Sequence, residues 1–130
     1  MLAVSVPSLA QAQSFKWWQD EKMKAELGLA PDQVSRLEAV FQELIPRMTA
    51  EKEVLDNLER QLSVVIRDAN VGEAEVIRQI DVVEAARSAL GKTRTLMVYR
   101  LYLSLSPEQR EKMKALHEKW DAERRKGGRR

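Results

Sequence analysis

Apolar residues recur at alternating three- and four-residue steps from Val34 to Val65, and this series limits what the chain can fold into more than any other feature. Its members are Val34, Leu37, Phe41, Leu44, Met48, Leu55, Leu58, Leu62 and Val65, with Glu51 as the one interruption. An average step of 3.5 residues, held over more than four heptads, marks a helix whose apolar seam lies against another helix. At 1.5 Å per residue a helix over residues 32–69 is roughly 55 Å long, too long for a compact globule. Pro46 falls inside the series; it lacks a backbone donor and crowds the preceding turn, so a kink is expected there. The seam keeps its phase from Leu44 through Met48 to Leu55, with no Gly or polar cluster beside the proline. That predicts a bend, not a break.

Asn70-Val71-Gly72 is the next turn signal. Gly72 is suited to a positive φ, and Asn70 with Glu73 has capping-box spacing for a returning helix. That helix is expected over residues 73–102, with Val76, Ile80, Val83, Leu90, Met97 and Leu101 on one face. Arg87 and Arg94 interrupt this stripe, either snorkelling to its edge or pairing with an acid on the facing helix. A short helix over residues 17–26 precedes the long one and ends at Gly28, a C-cap residue. A last helix, over residues 107–125, buries Met113, Leu116 and Trp120. The expected fold is all-α: a long kinked helical hairpin with short N- and C-terminal helices.

Composition agrees with this. The chain has 130 residues, enough for one domain, and only five Gly and four Pro to punctuate strands. No stretch approaches the roughly 18 consecutive apolar residues that span a bilayer. Of 22 basic residues, five lie in the last seven positions, and the other 17 stand against 20 acidic ones. The body is therefore mildly acidic and lacks the basic stripe along a structured face that nucleic acid requires. The tail has anionic lipid or acidic polypeptide as conceivable partners, with solubilising disorder the plainer reading.

Residues 2–12 read as the back half of a secretory leader, with an apolar stretch, Pro7, and the small residues Ala10 and Ala12 before Gln13. The expected organisation is a leader remnant over 1–12, one helical domain over 13–125, and a disordered basic tail over 126–130. Localisation would be periplasmic. The chain has no cysteine, so an exported form has no disulfide framework and relies on packing or association.

Two segments repeat at an offset of 76 residues. Leu27-Gly28-Leu29-Ala30-Pro31-Asp32-Gln33 parallels Leu103-Ser104-Leu105-Ser106-Pro107-Glu108-Gln109, and the match continues through Leu37 with Met113 and Val40 with Leu116. In the second copy Ser106 is a good N-cap, Pro107 sits at N1 and Gln109 at N3, as a capping box requires. Ala30 holds the N-cap place in the first copy and has no side-chain acceptor. If the helices run out and back, the two copies become neighbours in space.

Leu-Thr-x-x-Gln occurring twice around a long helical hairpin is the signature of the Spy/CpxP family of periplasmic stress proteins, which this chain resembles through Leu29, Ala30 and Gln33 and through Leu105, Ser106 and Gln109. Neither copy keeps the threonine. Phe15-Lys16-Trp17-Trp18 and Glu26-Leu27-Gly28-Leu29 are also similar to the heavy-metal sensor and resistance proteins related to ZraP and CnrX. The resemblance implies a bent, cradle-shaped antiparallel homodimer. It also implies one of three roles: binding unfolded periplasmic proteins without ATP, restraining a sensor-kinase or anti-sigma-type membrane partner, or binding Zn, Ni or Co.

Catalysis is not expected. The chain has no Cys and one His, no Gly-rich phosphate loop, and no serine in a nucleophile setting. Met113 and His117, one turn apart, are the candidate metal ligands. A tight site needs about three or four ligands, so a resident Zn or Ni is not expected unless carboxylates or a second copy complete it. Trp17 and Trp18 are candidates for client binding, since aromatic residues anchor interfaces. Neighbours on a helix point about 100° apart, so one is expected to pack inward and the other to face out.

Overall fold

The computed structural model describes residues 16–127, and every described segment of regular structure is helical. The leader-like residues 1–12 and the last three residues, 128–130, lie outside the described residues. After a short 3-10 turn at Trp17–Gln19 come α1 (Glu21–Leu27), α2 (Pro31–Asp68), α3 (Glu73–Leu103) and α4 (Pro107–Gly127). The all-α expectation holds. The chain divides into two compact units. Among the described residues an end unit combines 16–39 with 100–127, and a hairpin unit spans residues 40–99.

The long helix forms as its seam predicts. It runs without a break through Pro46, which lies on the exposed side. Leu37, Phe41, Leu44 and Leu55 are buried, and Val34, Met48, Leu58, Leu62 and Val65 are half-buried. Glu51 occupies its place in the same row. One carboxylate oxygen meets Arg47 Nε at 3.4 Å, and the other is buried without a hydrogen-bond partner. A buried acceptor left unmade costs about 1–3 kcal/mol, so this residue weakens the seam it interrupts.

The returning helix turns the expected stripe inward at Val76, Val83, Leu90, Met97 and Leu101, and departs from it at Ile80. Val83, Leu90 and Thr93 are buried, and Val76, Gln79, Ala86 and Met97 are half-buried, while Ile80, Arg87 and Arg94 are exposed. The inward row therefore runs 76, 79, 83, 86, 90, 93, 97, a regular heptad seam whose second member in each repeat is small or polar. Thr93 tolerates burial because its hydroxyl donates to the Ala89 carbonyl at 3.2 Å. Arg87 sits on the flank and pairs across the hairpin with Glu59 at 2.9 Å, one of the two alternatives expected for it. The core of the unit is Leu55, Val83 and Leu90, with Met48, Leu58, Leu62 and Ala86 packed around them.

Three boundaries differ from expectation for local reasons. The first helix is split: residues 17–19 form a 3-10 turn, and the Asp20 side chain accepts from Met23 N at 3.1 Å and caps a new helix. An Asp cap fixes a helix start because it satisfies an otherwise orphaned donor. At the hairpin tip the positive φ belongs to Ala69 (52°), not Gly72. The Gly72 carbonyl accepts from Glu75 N and Val76 N, so Gly72 and not Asn70 holds the N-cap place. Finally, α4 extends through Gly127, so Lys126 and Gly127 are helical and not part of a disordered tail.

Candidate functional site

The end unit is organised around the two repeat copies. Gly28, in the left-handed region at φ 67°, ends α1 and returns its N–H to the Lys24 carbonyl. Ala30 then starts α2: its carbonyl accepts from Gln33 N and Val34 N, and its N–H donates to Gln33 Oε1 at 2.9 Å. The second copy makes the whole capping box, with Ser106 N donating to Gln109 Oε1 at 2.8 Å and Gln109 N donating to Ser106 Oγ at 3.2 Å. The missing half in the first copy is the bond that alanine cannot make.

The two glutamines also bond each other, which the sequence reading does not anticipate beyond placing the copies side by side. Gln33 Nε2 donates to Gln109 Oε1 at 2.7 Å, and Gln109 Nε2 donates to Gln33 Oε1 at 3.2 Å. Each amide then reaches into the other copy's turn. Gln33 Nε2 donates to the Ser104 carbonyl at 3.0 Å, and Gln109 Nε2 donates to the Gly28 and Leu27 carbonyls at 3.1 Å. Ser104 and Gly28 are equivalent positions of the repeat, so the arrangement is an internal near-two-fold exchange. One Gln side chain thus caps its own helix and ties down the end of the helix in the other copy. Leu37 and Met113, also equivalent, are both 0% exposed.

A family model, described as LTXXQ motif family protein, matches residues 16–117. The chain belongs to the LTXXQ family. This is the Spy/CpxP-type family, non-enzymatic and typically periplasmic. Neither the curated proteins nor the solved structures give a match. The LTXXQ copies of this chain are the two segments just described, with Ala30 and Ser106 in the threonine place and Gln33 and Gln109 forming the exchange.

Around the LTXXQ copies the remaining candidates fall into two groups. Trp18 is 1% exposed and donates its indole N–H to Glu38 Oε1 at 2.9 Å, with Lys16 and Gln19 bonding the same carboxylate. Trp17 is half-buried against the cluster of Met23, Leu27 and Met113 and meets Trp18 edge-on at 5.3 Å. Trp17 is thus the one of the pair with surface left to offer. Met113 is fully enclosed in that cluster, so its thioether faces neighbouring side chains and not solvent. His117 accepts or donates at Nδ1 to the Tyr102 hydroxyl at 3.2 Å and lies beside Trp120 at 5.2 Å. Burial holds the Tyr102 phenol above its ordinary range. Among the described residues no group of three or more His, Asp or Glu is placed to hold a metal ion, and no helix is long and apolar enough to cross a membrane.

The hairpin unit supplies what the sequence reading missed. Val54, Val64, Ile66, Val71, Ile77, Ile80, Val82, Val98 and Tyr99 are each at least 39% exposed. Among the described residues of the end unit Leu103 alone is a large apolar side chain of that kind. Leu58 and Gln61 of α2 and Arg78, Gln79, Val82 and Val83 of α3 line a shallow groove between the helices. Leu96 and Tyr99 form a second apolar depression with Gly91, Lys92 and Thr95. Valine and isoleucine outside the seam were the available signal, because a two-helix layer has only one inward row per helix.

Proposed function

We propose that this LTXXQ protein is a periplasmic stress-response protein that binds unfolded polypeptides without ATP, working as a homodimer or as an adaptor toward a sensor-kinase or anti-sigma-type membrane partner. The aliphatic side chains left exposed on the hairpin unit carry this reading. Isolated exposed apolar residues are ordinary, but a set of this size on one two-helix layer marks a surface that meets another apolar surface. Valine and isoleucine attract without direction, so such a surface accepts many sequences, as a binder of unfolded chains requires. Arg78, paired with Glu75, and Lys92 keep the same surface wetted. Nothing in this mode of binding needs a nucleotide, a nucleophile or a resident metal.

Light scattering by a chemically unfolded client, diluted into buffer with the LTXXQ protein, tests the reading. Suppression at near-stoichiometric ratios is expected, equal with chelator and with added Zn²⁺. Suppression that appears with Zn²⁺ alone would transfer the assignment to metal response. No suppression under either condition would leave only the adaptor role.

A further inference from the structure

On one flank of its buried seam α3 carries a second row, made of Ile77, Ile80, Glu84, Gly91, Thr95 and Val98, all exposed. The steps between them are three, four, seven, four and three residues, the same from either end. Laid antiparallel on a copy of itself, with the two-fold axis between Arg87 and Ser88, the row sets Ile77 against Val98, Ile80 against Thr95 and Glu84 against Gly91. The charges follow the same symmetry with opposite sign. Residues 73–84 hold Glu73, Glu75, Asp81 and Glu84 against Arg78 alone, whereas residues 85–99 hold Arg87, Lys92 and Arg94 and no acid. Lys92 and Arg94 are exposed and make no ion pair among the described residues. Antiparallel pairing brings Asp81 and Glu84 level with Arg94 and Lys92, while a parallel pair would set like charge on like. Gly91 meets no need inside the chain: a Cβ there would touch nothing within 4 Å, and glycine weakens a helix interior. Against a second helix its missing side chain leaves room for the long Glu84 stem.

We propose that this flank of α3 pairs antiparallel with the same flank of α3 in a second copy of the chain. The inference rests on the homodimer of the proposed function and names the face and register that make it. A two-fold contact has to be complementary to itself, and this row is. An unfolded client is the poorer occupant, because it has no fixed sequence to match a row that reads alike from both ends. The pairing also divides the exposed aliphatic side chains between two tasks. Val82 lies about 200° from Ile80 around the helix, on the other side of the seam, where it lines the groove with Leu58 and Gln61. That groove stays open to clients while the first flank is covered.

The chain has no cysteine, so introduced ones report the contact without background. Full-length chains carrying I80C and T95C, each checked for unchanged helicity, are mixed and oxidised with copper phenanthroline. The expected result is a disulfide-linked dimer from the mixture, none from I80C alone, and none from V82C mixed with T95C. In sedimentation, K92E/R94E should weaken the dimer by roughly tenfold or more, and D81K/E84K/K92E/R94E, which exchanges the signs, should restore it. A monomeric parent chain, no link between I80C and T95C, an equal link from V82C, or a link from I80C alone would each overturn the proposal. So would a dimer indifferent to K92E/R94E. Loss of the link with client protection intact would strike down this face and leave the client reading standing. The link formed with no client protection would uphold the face and overturn the client reading.

Discussion

The end unit and the hairpin unit are made of the same kind of helix yet are stabilised in different ways. The end unit encloses Trp18, Leu27, Leu37 and Met113 almost completely and fixes its turns with amide-to-carbonyl bonds between distant segments. The hairpin unit has one seam, interrupted by Glu51 and thinned by Ala86 and Thr93, and leaves valines and isoleucines wet on its flanks. Directional bonds specify one arrangement, whereas non-directional contact tolerates many. The difference teaches a division of work: one unit sets the fold, and the other keeps apolar surface available.

The largest effect should come from truncating a fully enclosed side chain. Leu37→Ala is expected to cost about 3 kcal/mol in urea unfolding, against less than about 0.5 kcal/mol for Val82→Ala on the exposed flank. Val82→Ala should instead weaken client protection, and equal stability losses at the two sites would erase the distinction between the units. Next, Gln109→Leu removes the bonds to four partners, the Leu27 and Gly28 carbonyls, the Gln33 amide and the Ser106 N–H, and should cost about 2–3 kcal/mol, because the Leu27 and Gly28 carbonyls are left facing a methyl group. Gln33→Leu should cost less, since Gln33 is only half-buried. The double variant should cost less than the two single losses together, as coupled partners do.

A smaller effect separates the two motif copies. Ser106→Ala should cost about 1 kcal/mol by deleting the Oγ acceptor, whereas Ala30→Ser should gain up to about 1 kcal/mol by completing the first box. A loss at Ala30→Ser would mean that the first copy is held differently from the second. The smallest effect is electrostatic and confined to the start of α3. Hydrogen bonds from Arg78 and Gln79 lower the Glu75 carboxyl from its ordinary 4.5 to about 2. Because the folded value is depressed, this contribution is present above pH 4.5 and fades as pH falls toward 2. Glu75 is half-buried and its partner Arg78 is exposed, so solvent screens the pair and the slope should be slight, and Glu75→Gln should remove it from an acid titration of helicity.

Much of this was legible because α2 writes its seam in large residues. Every apolar member of that series, from Val34 to Val65, lies inward. In α3 the large members Val76, Val83, Leu90, Met97 and Leu101 were legible too, but the second seam row of Gln79, Ala86 and Thr93 was missed, because small or polar residues give no hydrophobic signal. Ile80, on the flank, then took a place in the stripe that belonged to them. Asp20 was a readable cap, but Trp17 and Trp18 looked like the first helical turn and hid it. The repeat placed Gln33 and Gln109 together, yet capping rules treat such a glutamine as bonding only its own helix. Its second amide hydrogen was the overlooked donor, and the equivalence of Gly28 with Ser104 was the clue to where it goes.

The Gln33–Gln109 exchange joins positions 76 residues apart in sequence, and this orders events as the chain is made. While the polypeptide emerges from a ribosome or a narrow pore, residues 27–33 appear long before the turn that completes them. The hairpin closes on near neighbours and can zip early, but residues 27–33 must wait for residues 103–109. The first copy is therefore tied down only after the hairpin that follows it has been made.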